Sequence, residues 1–168
     1  FAAEPGAVYY LKLTRYDNRK QGDYVITAEE YLDSMGDTPE TALKLEDGVK
    51  AEGTIAGKED VDFLAVTTGD MALIRLAAEN AAGNERMNVA VLDNSGKEVT
   101  SWRVDGGTTG EKTLELVPNA TYYVRVKCDQ AGKFTALYET LADLGGSSIQ
   151  SAVALQAGEK ADLFFEMK

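Results

Sequence analysis

The chain is expected to fold as an all-β protein, an antiparallel sandwich or barrel with partial repeat units at both ends, and three observations predict it. Segments rich in Val, Ile, Thr and Tyr alternate with polar residues at a period of two, the spacing that sends successive side chains to opposite faces of a strand. Clusters of Gly, Asn and Asp separate those segments at short intervals, with no long helical pattern between them. The third observation is an internal repeat. Ala7-Val-Tyr-Tyr-Leu-Lys-Leu-Thr and Gly22-Asp-Tyr-Val-Ile-Thr-Ala-Glu are written again, about 110 residues later, as Ala120-Thr-Tyr-Tyr-Val-Arg-Val-Lys and Gly132-Lys-Phe-Thr-Ala-Leu-Tyr-Glu. The residues after each copy match as well, since Thr41-Ala-Leu-Lys-Leu-Glu-Asp-Gly resembles Ser151-Ala-Val-Ala-Leu-Gln-Ala-Gly.

In chain order the alternation predicts strands near 7–14, 23–29, 49–55, 61–67, 70–78, 87–92, 97–103, 111–117, 120–128, 133–139 and 160–166. Thr38-Pro39-Glu40-Thr41 carries a cap residue, a first-turn proline and an acid, and predicts one short helical turn. The Ala-rich stretch Leu76 to Gly83 is open to a turn of helix, ended by Gly83 and Asn84. Asp93-Asn-Ser-Gly96 and Pro118-Asn119 are turn sequences joining the strands on either side. Gly106-Gly-Thr-Thr-Gly110 reads as a flexible connection. The expected core includes Val61, Phe63, Leu73, Val89, Val91, Leu114, Leu116, Val124 and Val126. The repeat divides the chain into 1–33, the closing hairpin of one unit; 34–140, a complete sandwich; and 141–168, the opening of another. On this reading the sequence is a window from a longer array.

Composition narrows the function. At 168 residues and 44% hydrophobic the chain can bury one good core. Its 28 acids against 17 Lys and Arg leave a net charge of −11, the wrong sign for neutralising phosphates, so nucleic acid is not expected as a partner. No apolar run reaches the roughly 18 residues that span a membrane, and membrane insertion is not expected. Cys128 is the sole cysteine and reads as a small strand residue. There is no histidine, which removes the commonest general base and the usual means of activating a serine or cysteine. A carboxylate pair of the glycosidase kind is not singled out by any spacing, and no glycine-rich loop is followed by Lys-Ser or Lys-Thr and a helix. The chain is expected not to be an enzyme.

Five segments in order carry a family resemblance: Gly36-Asp-Thr-Pro-Glu-Thr-Ala-Leu, Val49-Lys-Ala-Glu-Gly-Thr-Ile, Glu59-Asp-Val-Asp-Phe-Leu-Ala-Val, Met87-Asn-Val-Ala-Val-Leu-Asp-Asn-Ser-Gly, and Ala120-Thr-Tyr-Tyr-Val-Arg-Val with Gly132-Lys-Phe-Thr-Ala. Together they resemble the bacterial pre-peptidase C-terminal domain, which is similar in turn to the collagen-binding domains of clostridial collagenases. The resemblance covers about residues 34 to 140. It implies that the fold is an antiparallel jelly-roll-like β-sandwich, a non-catalytic domain attached to secreted enzymes, often proteases, and serving as a targeting or substrate-binding module. The chain lacks the continuous acidic linker motif and much of the aromatic face of the collagen-binding branch.

The resemblance also implies calcium, bound where the linker meets the first strands. The matching acids here are Asp37, Asp60 and Asp62, with Asp33 and Glu59 beside them, and calcium is the expected cofactor if there is one. Solvated strand ends are the ordinary reading of the same acids. For a protein or polysaccharide ligand the candidate residues are Trp102 and Tyr138, as stacking aromatics, and Arg103, with Arg125, as polar anchors; their ordinary reading is core or solvated surface. The end strands, as incomplete units, are expected to be covered by self-association or by packing onto the complete unit. The sequence therefore predicts an accessory binding module of a secreted or cell-surface bacterial protein, with a structural spacer or assembly repeat as the alternative.

Overall fold

The structure, a computed structural model, describes residues 6–14, 22–28, 33, 35–81 and 86–141. Two sheets face each other. The five-stranded sheet runs in the order β1-β3-β8-β5-β6, and the four-stranded sheet in the order β2-β9-β4-β7. The strands are β1 (Leu43–Lys44), β2 (Ala51–Ile55), β3 (Asp62–Thr67), β4 (Leu73–Asn80), β5 (Met87–Leu92), β6 (Glu98–Val104), β7 (Thr108–Glu115), β8 (Thr121–Cys128) and β9 (Gly132–Thr140). All pairs are antiparallel except β1 with β3. The expected sandwich is the observed one.

Alternation explains the burial within each strand. On β8, Tyr122, Val124, Val126 and Cys128 point between the sheets, while Tyr123, Arg125 and Lys127 face outward. Phe134, Ala136 and Tyr138 on β9 and Ile74, Leu76 and Ala78 on β4 meet them from the opposite sheet. A smaller cluster of Phe63, Ala90 and Leu92, with Ala42, Val61 and Tyr123 against it, lies apart from this main core. Val89, Val91, Leu116, Val124 and Val126 are core residues as expected. On two strands the expected parity is reversed. Leu64 and Val66 point into the main core while Phe63, buried as expected, belongs to the smaller cluster and Val61 is half-buried, and on β4 Leu73 is half-buried while its neighbour Ile74 is buried. Leu114 is half-buried and packs against the core.

The turns follow their residues. Asp93 Oδ1 accepts from the Ser95 and Lys97 backbone N–H groups and from the Ser95 hydroxyl, and Gly96 closes the turn at φ 81°. Pro39–Thr41 forms a 3-10 turn with reciprocal bonds between Thr38 and Thr41. Two expectations fail. Leu76 to Asn80 form no helix, because β4 runs on to Asn80 as a central strand paired with both β7 and β9. Gly106 to Gly110 is no loose connection, because β7 already begins at Thr108 and pairs with the end of β4. Residues 7–14 and 23–28, expected as strands, have no strand pairing among the described residues, and both Tyr9 and Tyr10 are exposed. The expected strand at 160–166 lies outside the described residues.

Candidate functional site

Where the linker enters the sandwich, four carboxylates converge. Gly36 and Phe63 form an isolated antiparallel bridge, with the Phe63 N–H donating to the Gly36 carbonyl at 2.9 Å. That register carries Asp37 alongside Asp62, the first residue of β3. A side chain at position 36 would collide with the backbone of Thr41, so glycine lets the linker lie close under the 3-10 turn. Asp33 is tied down by accepting the Met35 N–H at 3.0 Å. Asp60 sits in the turn before β3, where its own N–H donates to Gly57 and its carboxylate accepts from the Ala56 N–H.

Oxygens from Asp33, Asp37, Asp60 and Asp62 all lie within 4.8 Å of one another. Asp62 is 0% exposed, and neither of its carboxylate oxygens has a hydrogen-bond partner. A buried charge without a partner is costly, and here three more acids crowd it. Burial, followed by the charges of Asp60, Asp33 and Asp37, pushes the Asp62 carboxyl up to about 7. Asp60 is raised as well, chiefly by burial, against the lowering effect of the Ala56 N–H. Two ligands on opposite sides of a calcium ion, each about 2.4 Å away, stand about 4.8 Å apart, so one shell of that size accommodates all four carboxylates. An all-oxygen, anionic donor set suits a hard divalent cation. Glu59 is outside this group; it is exposed and lines an open groove with Lys58, Asp60 and Asp129.

The expected ligand-binding residues separate. Arg103 is exposed and lines a groove on the outer face of the five-stranded sheet. Trp102 alternates with it and turns the other way: its half-buried ring packs on the main core, with Lys112 Nζ 5.8 Å from the ring centroid. Gly110 on β7 makes room for that ring, since a Cβ there would stand 3.1 Å from it. Tyr138 is buried in the main core on β9, in the opposite sheet. Tyr138 therefore lies away from the groove, while Trp102 borders it with its ring packed on the core. Arg125, the other expected anchor, does line the same groove; sequence reasoning missed Asn88, Ser101 and Lys127 as their neighbours, because the groove is built from three strands whose order no local pattern encodes.

No family model and no curated protein matches the sequence. Among solved structures the chain is similar to the pre-peptidase C-terminal domain of collagenase from Bacillus anthracis, with a TM-score of 0.51 and 17% identity over 62% of this chain and 100% of that domain. At that identity the likeness shows a shared fold. Looser likenesses are to the Yersinia pseudotuberculosis-derived mitogen, with a TM-score of 0.38 and 17% identity over 59% of this chain and 90% of that one, and to the periplasmic g-type lysozyme inhibitor of Aeromonas hydrophila, with 0.41 and 13% over 58% and 94%. At these scores neither bears on function. No helix among the described residues is long and apolar enough to cross a membrane.

Proposed function

We propose that the chain is a non-catalytic accessory module of a secreted or cell-surface bacterial protein, and that calcium held by Asp33, Asp37, Asp60 and Asp62 fixes its linker to the sandwich. The observation that carries the metal reading is Asp62, buried with both oxygens unpartnered among three other carboxylates. A bound cation would supply the missing partner and offset the mutual repulsion; its role would be structural, joining the linker to the start of β3. The module reading is supported by a fold shared with a domain of a collagenase and by a sequence without histidine.

Calorimetric melting tests the metal site. A ligand that binds only the folded state stabilises it by about 2.7 kcal/mol at a hundredfold excess over its dissociation constant, enough to raise the melting temperature of a domain this size by roughly 10 °C. The expected result is such a rise on moving from excess chelator to millimolar calcium, lost in Asp62→Asn. Identical melting curves in chelator and calcium would remove the site.

A second reading, assembly through the end segments, rests on a separate observation. Val8, Tyr9, Tyr10, Leu11, Tyr24 and Val25 are all exposed, an apolar load that proteins ordinarily cover. Pairing with another chain by strand addition would cover it.

A further inference from the structure

The outer face of the five-stranded sheet carries a groove of about 340 Å³. Its shape follows from residue size across three neighbouring strands. The central strand, β5, contributes the short residues Asn88 and Ala90 as a floor. On one side β6 places Arg103 opposite Asn88 and Ser101 opposite Ala90. On the other, β8 places Lys127 opposite Asn88 and Arg125 opposite Ala90. Two rows result, Arg103-Asn88-Lys127 and Ser101-Ala90-Arg125, with long side chains as walls and short ones between them.

The charge of this patch runs against the rest of the molecule. In a chain with 28 acids and 17 basic residues, the two rows hold three cations and no acid. One acid lines the rim: Glu98 accepts from the Ser101 hydroxyl at 2.6 Å and stands 3.6 Å from Arg125. Arg103 and Lys127 have no ion pair among the described residues. They face each other across the Asn88 amide, about two strand spacings or roughly 9.5 Å apart at the backbone. Two like charges held on either side of a hydrogen-bond donor repel each other until an anion lies between them.

We propose that this groove binds an extended acidic peptide segment, with carboxylates on alternate residues. The first carboxylate lies between Arg103 and Lys127 and accepts from the Asn88 amide. The second meets Arg125 and the Ser101 hydroxyl, displacing Glu98. Spacing favours a peptide: Lys127 and Arg125 are two residues apart on one strand, about 6.7 Å, which is also the repeat of same-side side chains in an extended peptide. A sugar chain would look for a free aromatic platform, and the Trp102 ring, at the border of the groove, is packed on the main core. The proposal rests on the binding-module reading and adds the chemistry of the ligand.

Fluorescence anisotropy with a labelled alternating Glu-Ser peptide, at low ionic strength and in excess chelator, tests it. The intact chain should bind this peptide at least about tenfold more tightly than its Gln-Ser counterpart, the scale expected for close, partly desolvated charge pairs. The double variant Arg103→Glu, Lys127→Glu should lose about tenfold or more, and Glu98→Gln should tighten binding by freeing Arg125 and Ser101. Both wall residues are exposed, so melting temperature should not change; if the double variant fails to fold, Arg103→Gln with Lys127→Gln replaces it. Absence of binding, or binding indifferent to these substitutions, overturns the proposal. Polygalacturonate competing more tightly than the peptide, with the same sensitivity to Arg103 and Lys127, overturns the peptide and leaves the binding module standing.

Discussion

Tyr9-Tyr-Leu-Lys-Leu and Tyr122-Tyr-Val-Arg-Val are nearly the same sentence in two environments. In β8 Tyr122 is 6% exposed, its hydroxyl accepts the Val117 N–H at 3.0 Å, and Val124 and Val126 are fully buried. In the earlier copy Tyr9 is 48% and Tyr10 92% exposed, and no strand among the described residues pairs with either. The second segment of each copy repeats the contrast, with Phe134 buried in β9 and Tyr24 exposed at the matching position. Alternation prepares a face for burial but does not supply the surface that buries it. For β8 that surface is completed by β3 and β5, and for β9 by β2 and β4, all from distant parts of the chain.

The sharpest way to break this comparison is to truncate matched residues. Phe134→Ala should cost about 3–5 kcal/mol as a cavity in the main core, whereas Tyr24→Ala should stay within about 0.5 kcal/mol. Denaturation midpoints measure both. Equal losses would mean that the N-terminal copy is packed as tightly as β9.

Acidity gives the next effect. The folded-state pKa of Asp62, about 7, lies above the ordinary 3.8, so folding favours the neutral acid. Its contribution to stability is complete below about pH 4 and is lost as pH rises through 7. The calcium-free protein should therefore become less stable between those values, and Asp62→Asn should flatten the profile. Melting temperatures in chelator across that range test the sign; a rise with pH in the wild-type chain that depends on Asp62 would refute it.

Close packing between β2 and β9 predicts a smaller loss. A Cβ at Gly53 would collide with the Phe134 ring, so Gly53→Ala should cost about 1–3 kcal/mol from overpacking. Gly57, with open space around it, is the control, and its alanine variant should move the midpoint much less.

The smallest effect on stability, with a separate readout, concerns the exposed copy itself. Tyr10→Asp with Val25→Asp should leave the melting temperature unchanged and reduce self-association of the intact chain in light scattering. A wild-type chain that stays monomeric at high concentration would end the assembly reading.

By itself the sequence determined the fold class, most strand positions and the turn chemistry at Asp93 to Gly96, because period-two burial and turn residues are local properties of the backbone. It also marked Asp33, Asp37, Asp60 and Asp62, though through resemblance rather than spacing, since these acids come from a linker, a turn and a strand that the Gly36–Phe63 bridge brings together. Tertiary structure decided the rest. Whether Phe63 or Leu64 faces the main core, whether Leu76 to Asn80 extends or coils, and whether Tyr138 meets ligand or core all depend on which strands lie on either side. It likewise set Arg103, Asn88 and Lys127 in one row. The physical reason is that hydrogen-bonded neighbours in a sheet are chosen by pairing across long loops, and the free energy of burial belongs to the assembled face rather than to any segment of it.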